Sequence, residues 1–313
     1  MHEIKSNTTE AEQQQLIAQG LYFAEEAMLN VVNSEVSVLQ DASRHILQAG
    51  GKRIRPRLLI LAYVAAGGID VEYAAPPAAA VELMHTASVV HDDINDHGIV
   101  RRGRPSVNAI WGRTFALLTG DFLFTAVYQL MAPYSGLNQD LADAATGLVE
   151  GETLQAWAVK NNEFTSENYM RIISLKTAAL FQAAGKIGAK LANATDDVVD
   201  ALGNYAYNIG LAFQIVDDIL DIIGDEEKLG KTAGIDVEQG RGVASVQDDT
   251  SPNDDEIMDS IKRKLLGGNR LEKARQQATM LAQMAINDLD ILPDTAAKAE
   301  LIDLADKVIN RDH

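Results

Sequence analysis

Cysteine is absent from the 313 residues, which removes disulfide scaffolds, iron–sulfur clusters, zinc–thiolate sites and thiol nucleophiles together. Proline is scarce: there are seven, with none between Pro133 and Pro252, so that stretch has room for several uninterrupted helices. Positive charge is short as well. With 27 Lys+Arg against 45 Asp+Glu and a net charge of −18, the body is acidic, and no nucleic-acid partner is expected. No apolar run approaches the ~18 residues that cross a bilayer. The opening MHEIKSNTTEAEQQQ lacks the charged-then-apolar layout of a secretory leader. The expectation is a cytoplasmic protein. Its 47% hydrophobic content is ample for a true core.

Helical periodicity dominates what is present. Residues 78–96, 123–131, 168–191, 196–223 and 270–291 each run too long for a strand, and no alternating run sits between hairpin signals. The fold class predicted is all-α: one antiparallel helical bundle forming a single domain over residues 1–313, with residues 1–13 flexible. Two segments read as functional loops. Gly98–Pro105 (GIVRRGRP) joins two helices, and residues 224–255 carry Gly224, Gly230, Gly234, Gly240 and Gly242 among acidic residues, as a mobile lid would.

The sharpest signal is a pair of aspartate clusters, His91-Asp92-Asp93-Ile94-Asn95-Asp96 and Asp217-Asp218-Ile219-Leu220-Asp221. In each, the first and last Asp are four positions apart, so they share one helical face a turn apart. Apolar residues precede both clusters, and stacked carboxylates in a half-buried setting cost stability unless a cation neutralises them. Oxygen ligands without thiolates suit a hard ion, Mg²⁺ above all, which takes one or two carboxylates plus phosphate oxygens. His85 lies two turns before Asp92 on the same stripe, Ser88 falls near it, and Gln214 sits close to Asp217 around the helix. Cations gather in Lys52-Arg53-Ile54-Arg55-Pro56-Arg57 and in Arg101-Arg102-Gly103-Arg104. Beside an acidic metal site, such clusters suit a diphosphate better than a merely solvated face.

These motifs resemble the trans-prenyl diphosphate synthases, the polyprenyl synthetase family, and its long-chain members in particular. The resemblance runs through GGKRIRP, ELMHTASVVHDDIND, RRGRP, Gly120-Asp121, SLKTA, FQIVDDILD and LGKTAGID, and more weakly to the end of the chain. It implies long antiparallel helices around a deep central cavity, a homodimer, and the joining of isopentenyl diphosphate to an allylic diphosphate. By that resemblance, Asp92, Asp96, Asp217 and Asp221 hold Mg²⁺, three ions per site with substrate bound, while Asp93 and Asp218 act directly or through water. Arg101, Lys176, Thr177, Gln214 and Lys231 contact the allylic substrate, and Lys52, Arg55, His85 and Arg102 hold isopentenyl diphosphate. Small residues at Ala87 and Ser88, five and four before the first Asp, leave the cavity floor open and imply a product longer than C20, the alternative being a short-chain (C15 or C20) farnesyl or geranylgeranyl diphosphate synthase. Such a product is poorly soluble, so transient membrane contact for its release is expected.

The chain departs from the family pattern after Asp236. Instead of a basic residue and Thr-Leu-Pro, it reads Gly240-Arg241-Gly242-Val243-Ala244, in the segment that would close over the site. Competing readings fare worse. A terpene cyclase of the same fold would replace Asp221 and Asp225 with Ser/Thr and Glu, and it has no use for a second diphosphate loop. A di-iron bundle needs two Glu-x-x-His motifs, and only Glu82–His85 supplies one. A silent subunit of a heteromeric synthase would not need both aspartate clusters.

Overall fold

The computed structural model describes residues 8–161, 163–223 and 269–311. The anticipated lid at 224–255, including Lys231, lies outside them. The described elements are α1 (Glu10–Val31), α2 (Ser37–Gln48), α3 (Ile54–Ala65), α4 (Val71–Asn95), the strands β1 (Val100–Arg101) and β2 (Arg104–Pro105), α5 (Val107–Met131), α6 (Asn138–Lys160), α7 (Ser166–Ile173), a π-helical turn (Ser174–Ala178), α8 (Ala179–Leu191), α9 (Asp196–Ile223), α10 (Asn269–Asp288) and α11 (Ala296–Ile309). The all-α expectation holds, with one correction: the 98–105 loop contains a two-residue-turn hairpin. Arg102 (φ 53°) and Gly103 (φ 71°) both take the left-handed conformation such a tight turn requires.

The helix at the centre is α3. Leu58 through Ala65 are all buried, and it packs against α1, α4, α8 and α11. Pro56 costs nothing there, because the first-turn N–H it lacks would have no intrahelical partner. Glycine lets α8 approach closely: a Cβ on Gly188 would stand 2.4 Å from the Leu59 carbonyl oxygen of α3. Gly188→Ala should therefore lower stability by about 2 kcal/mol or more. Urea denaturation checks this, and an unchanged midpoint would contradict it.

Helix ends are set by local chemistry. Thr9 and Glu12 form a reciprocal cap, so the chain is helical from Glu10. Gln13 is buried and accepts a hydrogen bond from the Ala297 N–H of α11. Residues 10–13 thus correct the expectation of a flexible start through residue 13. Helix α4 starts at Val71, earlier than its periodicity indicated, and runs through Pro76 and Pro77. Pro77 has no N–H to offer the Tyr73 carbonyl four residues back, and the Tyr134 hydroxyl donates to that carbonyl instead, at 2.8 Å. Helix α5 bends at Gly112 (φ 81°) and, by length and composition, is long and apolar enough to cross a membrane. Arg113 and Asp121 interrupt it, so it is not the unbroken apolar run whose absence the sequence indicated.

Candidate active site

The ends of α4 and α9 that carry the aspartate clusters open onto one cleft of about 460 Å³. Asp92, Asp96, Asp217 and Asp218 line it, and so do Lys52, Arg55, His85, Ser88, Arg101, Arg102, Lys176, Thr177 and Gln214. Three anticipated residues do not. Asp93 turns into the hairpin, where Arg101 donates to its Oδ1 from Nε at 2.8 Å and from a terminal nitrogen at 2.5 Å. Asp221 is buried and does not border the cleft. Ala87 is fully buried and also away from it, because five residues place it about 140° around α4 from Asp92, whereas Ser88 lies only about 40° off.

The two cationic segments are latched together. Arg102 donates to the Gly50 carbonyl, and a Cβ on Gly51 (φ 140°) would stand 2.9 Å from the Arg102 guanidinium carbon, so only glycine admits this approach. Between Lys52 and Arg55, Arg53 takes a left-handed conformation (φ 46°). It donates to Glu25 (3.1 Å), Glu82 (3.0 Å) and the Leu47 carbonyl (2.7 Å). The hairpin is anchored from behind by His45, whose Nε2 lies 2.8 Å from the Pro105 carbonyl oxygen.

Arg55 is buried, stacks 4.8 Å from the centre of the Phe181 ring, and keeps its Nε without a hydrogen-bond partner among the described residues. Burial pulls its pKa down to about 10, against the pull of Glu82, so it stays cationic near neutrality. His85 is held well below its ordinary pKa, first by burial and then by Arg55, Arg102, Arg101 and Arg53; it is neutral beside an unmet guanidinium. This is a pocket built for an anion that supplies the missing acceptors.

Opposite, the π-helical turn carries SLKTA. It interrupts an otherwise continuous α7–α8 run, as such turns do at functional sites. Lys176 sits 3.5 Å from Asp92 and pairs with Glu152. Burial pushes Asp92 up to about 6, against the pull of Lys176 and with Glu152 and Asp96 adding to the rise. Thr177 donates to the Gln214 side-chain oxygen Oε1, and the Gln214 amide nitrogen and the Tyr169 hydroxyl both donate to Asp218, each at 2.8 Å. This chain orients Asp218 and fixes the face that α9 presents.

Among the described residues, no three carboxylate or imidazole groups converge tightly enough to hold an ion unaided. Mg²⁺ commonly completes its shell with water and substrate phosphates, so Asp92, Asp96 and Asp217 fit an ion that arrives with a diphosphate. Glu152, Tyr169 and Arg311 also line the cleft or hold its residues in place, and no local motif had marked them; Glu82 and Phe213, which border it too, stand inside quoted segments without an assigned role.

The polyprenyl synthetase family model matches residues 36–280. The chain belongs to the polyprenyl synthetase family. Octaprenyl diphosphate synthase of Escherichia coli K12 is 34% identical over 316 aligned residues, covering 95% of this chain and 98% of that one. The short chain isoprenyl diphosphate synthase of Methanothermobacter thermautotrophicus is 38% identical, covering 87% and 90%. Among solved structures, the polyprenyl synthase of Caulobacter crescentus CB15, complexed with calcium and isoprenyl diphosphate, superposes with a TM-score of 0.88 at 30% identity over 99% of each chain. As a polyprenyl synthetase, the chain is a prenyltransferase with the all-α isoprenoid synthase fold.

Proposed function

We propose that this polyprenyl synthetase adds isopentenyl diphosphate head to tail (1′–4) to an allylic diphosphate in a Mg²⁺-dependent reaction, giving an all-trans product longer than C20. What carries the reading is a single cleft in which two acidic helix faces oppose two latched cationic segments. When bound, magnesium neutralises the charge that appears on the departing diphosphate, and we assign three ions to the substrate-loaded site. Asp92, Asp96 and Asp217 are assigned to hold them, and Asp218, pinned by Gln214 and Tyr169, would act through water ligands. Asp221, one turn beyond Asp217 but buried off the cleft, is assigned to the metal site on the sequence alone, and Asp93 holds the hairpin to α4 through Arg101.

Lys176, Thr177, Gln214 and Arg101 hold the allylic diphosphate, and Lys231 is assigned to it on the sequence alone. Lys52, Arg55, Arg102 and neutral His85 hold isopentenyl diphosphate. The allylic C–O bond breaks, leaving a carbocation and diphosphate. The double bond of isopentenyl diphosphate attacks that cation, and a proton passes to the released diphosphate. Val89, Ile172, Ile173 and Phe213 give the cleft an apolar side that keeps water from the cation. Ser88 on its wall leaves room for a growing tail.

The test is mass analysis of products from purified enzyme with farnesyl diphosphate, isopentenyl diphosphate and Mg²⁺. Products beyond C20 that vanish with chelator are expected; a sole C15 or C20 product overturns the long-chain assignment. Two further features belong to this reading. Helix α5 leaves Ile110, Phe115, Leu117, Leu118 and Tyr128 exposed, which supports a homodimer across that face, and sedimentation at the monomer mass of 33.9 kDa would contradict it. We place the enzyme in the cytoplasm, touching membrane only to discharge product, because a surface of net charge −18 disfavours lasting contact with anionic lipid. Turnover insensitive to added liposomes would count against that contact.

A further inference from the structure

The segment that follows α11 reaches the site. Helix α11 is fixed against the bundle by the Arg57–Glu300 ion pair (2.5 Å) and by the Tyr205 hydroxyl donating to the Leu301 carbonyl at 2.6 Å. Just past its cap at Asn310, Arg311 turns into the cleft. Its guanidinium carbon stacks 4.5 Å from the centre of the Phe213 ring, and one terminal nitrogen donates to Asp217 Oδ1 at 3.2 Å. Phe213 and Asp217 are one turn apart on α9, so the planar group lies along the helix face with its position set at both ends. Its Nε and second terminal nitrogen are buried and have no hydrogen-bond partner among the described residues. A buried cation with two unmet donors is costly, and these donors lie in the same cleft as Lys52. Lys52 feels the crowding: burial lowers its pKa, and Arg311 lowers it further.

We propose that Arg311 is the internal counter-cation of the second aspartate motif: it holds Asp217 until a divalent ion takes that carboxylate, then passes its donors to the incoming diphosphate. The proposal rests on the reading of Asp217 as a metal-binding residue. Two positive groups competing for one carboxylate oppose each other, so each weakens the other's hold. Phosphate oxygens would in turn satisfy the two guanidinium nitrogens that are unmet among the described residues. Arg311 thereby couples loading of metal to that of diphosphate, because metal alone must displace a guanidinium whose other donors are unmet among the described residues.

The test titrates Mn²⁺ into full-length, substrate-free enzyme and reads free Mn²⁺ by electron paramagnetic resonance. Arg311→Gln should bind Mn²⁺ at least about fivefold more tightly than the native protein. It should bind inorganic diphosphate, with Mn²⁺ saturating, at least about fivefold more weakly. Arg311→Lys, which keeps the competing charge, should stay near native Mn²⁺ affinity. Unchanged or weaker Mn²⁺ binding by Arg311→Gln overturns the proposal, as does unchanged diphosphate binding. Asp217→Asn separates the two levels. If it weakens Mn²⁺ binding while Arg311→Gln does not tighten it, only the counter-cation role falls; if it changes nothing, the metal assignment falls and takes the role with it. Should Arg311→Gln not fold, the native protein still decides. Its Arg311 Nε–H resonance, identified by its loss in Arg311→Lys, should shift on adding Mg²⁺ and again on adding diphosphate, and a static resonance is a refutation.

Discussion

Replacing Asp92 and Asp217 together by alanine should lower kcat by at least ~10³-fold, the order lost when one charge-stabilising group is removed from an active site. The double variant should be little worse than the poorer single one, because the two carboxylates serve one leaving group and act as a unit. The loss would not reflect unfolding. Asp92 has a pKa raised to about 6 by burial, so the folded state binds that proton more tightly than the unfolded chain does. Ionisation of Asp92 therefore opposes folding above about pH 6, and the penalty fades as the pH falls from there toward the ordinary carboxylate range. In metal-free buffer at pH 7.5, Asp92→Asn should thus melt at or above the native temperature, with the difference gone near pH 4. A variant that lost both activity and its melting transition would show that the aspartates hold the fold rather than the leaving group.

The second large effect concerns product length. Ser88 borders the cleft one turn below Asp92, and its hydroxyl only caps the His85 carbonyl, at 2.8 Å. Phenylalanine there would project into the path of a tail growing away from the diphosphate end. Ser88→Phe should shift the product distribution to C15 and C20, with the rate of the first condensation retained to within about tenfold, since the groups that bind diphosphate are untouched. Ala87→Tyr is a different experiment: Ala87 is fully buried and faces away from the cleft, so a tyrosine would strain α4 packing and lower stability first. If Ser88→Phe still made the native distribution, the tail would have to leave the site by another wall.

Much of the site was legible because its chemistry is local in sequence. The four-residue aspartate spacing, the GGKRIRP and RRGRP segments and SLKTA each declare a charge pattern within a few residues, and the cleft unites them. The bounds of α9 also agree with its periodicity. Other features had no local signature. Helix α3 is buried on nearly every side, so it shows no polar stripe for a period to mark. Helix α5 hides its first turns behind Gly112, and α7–α8 conceals a π turn that only the hydrogen-bond ladder reveals. Tyr169 and Arg311 act on α9 from 49 and 94 residues away, distances at which a motif carries no information. Ala87 lies off the cleft although Ser88 borders it, because adjacency in sequence is not adjacency around a helix.

On the proposed function, the cleft grips diphosphate through divalent ions held by Asp92, Asp96 and Asp217. Calorimetric titration of inorganic diphosphate into the purified enzyme tests this most directly, once with Mg²⁺ and once with chelator. Tight binding with Mg²⁺ and a loss of at least about a hundredfold without it are expected. Equal affinity in both would mean that the arginines and lysines bind the anion alone, and the account would be wrong.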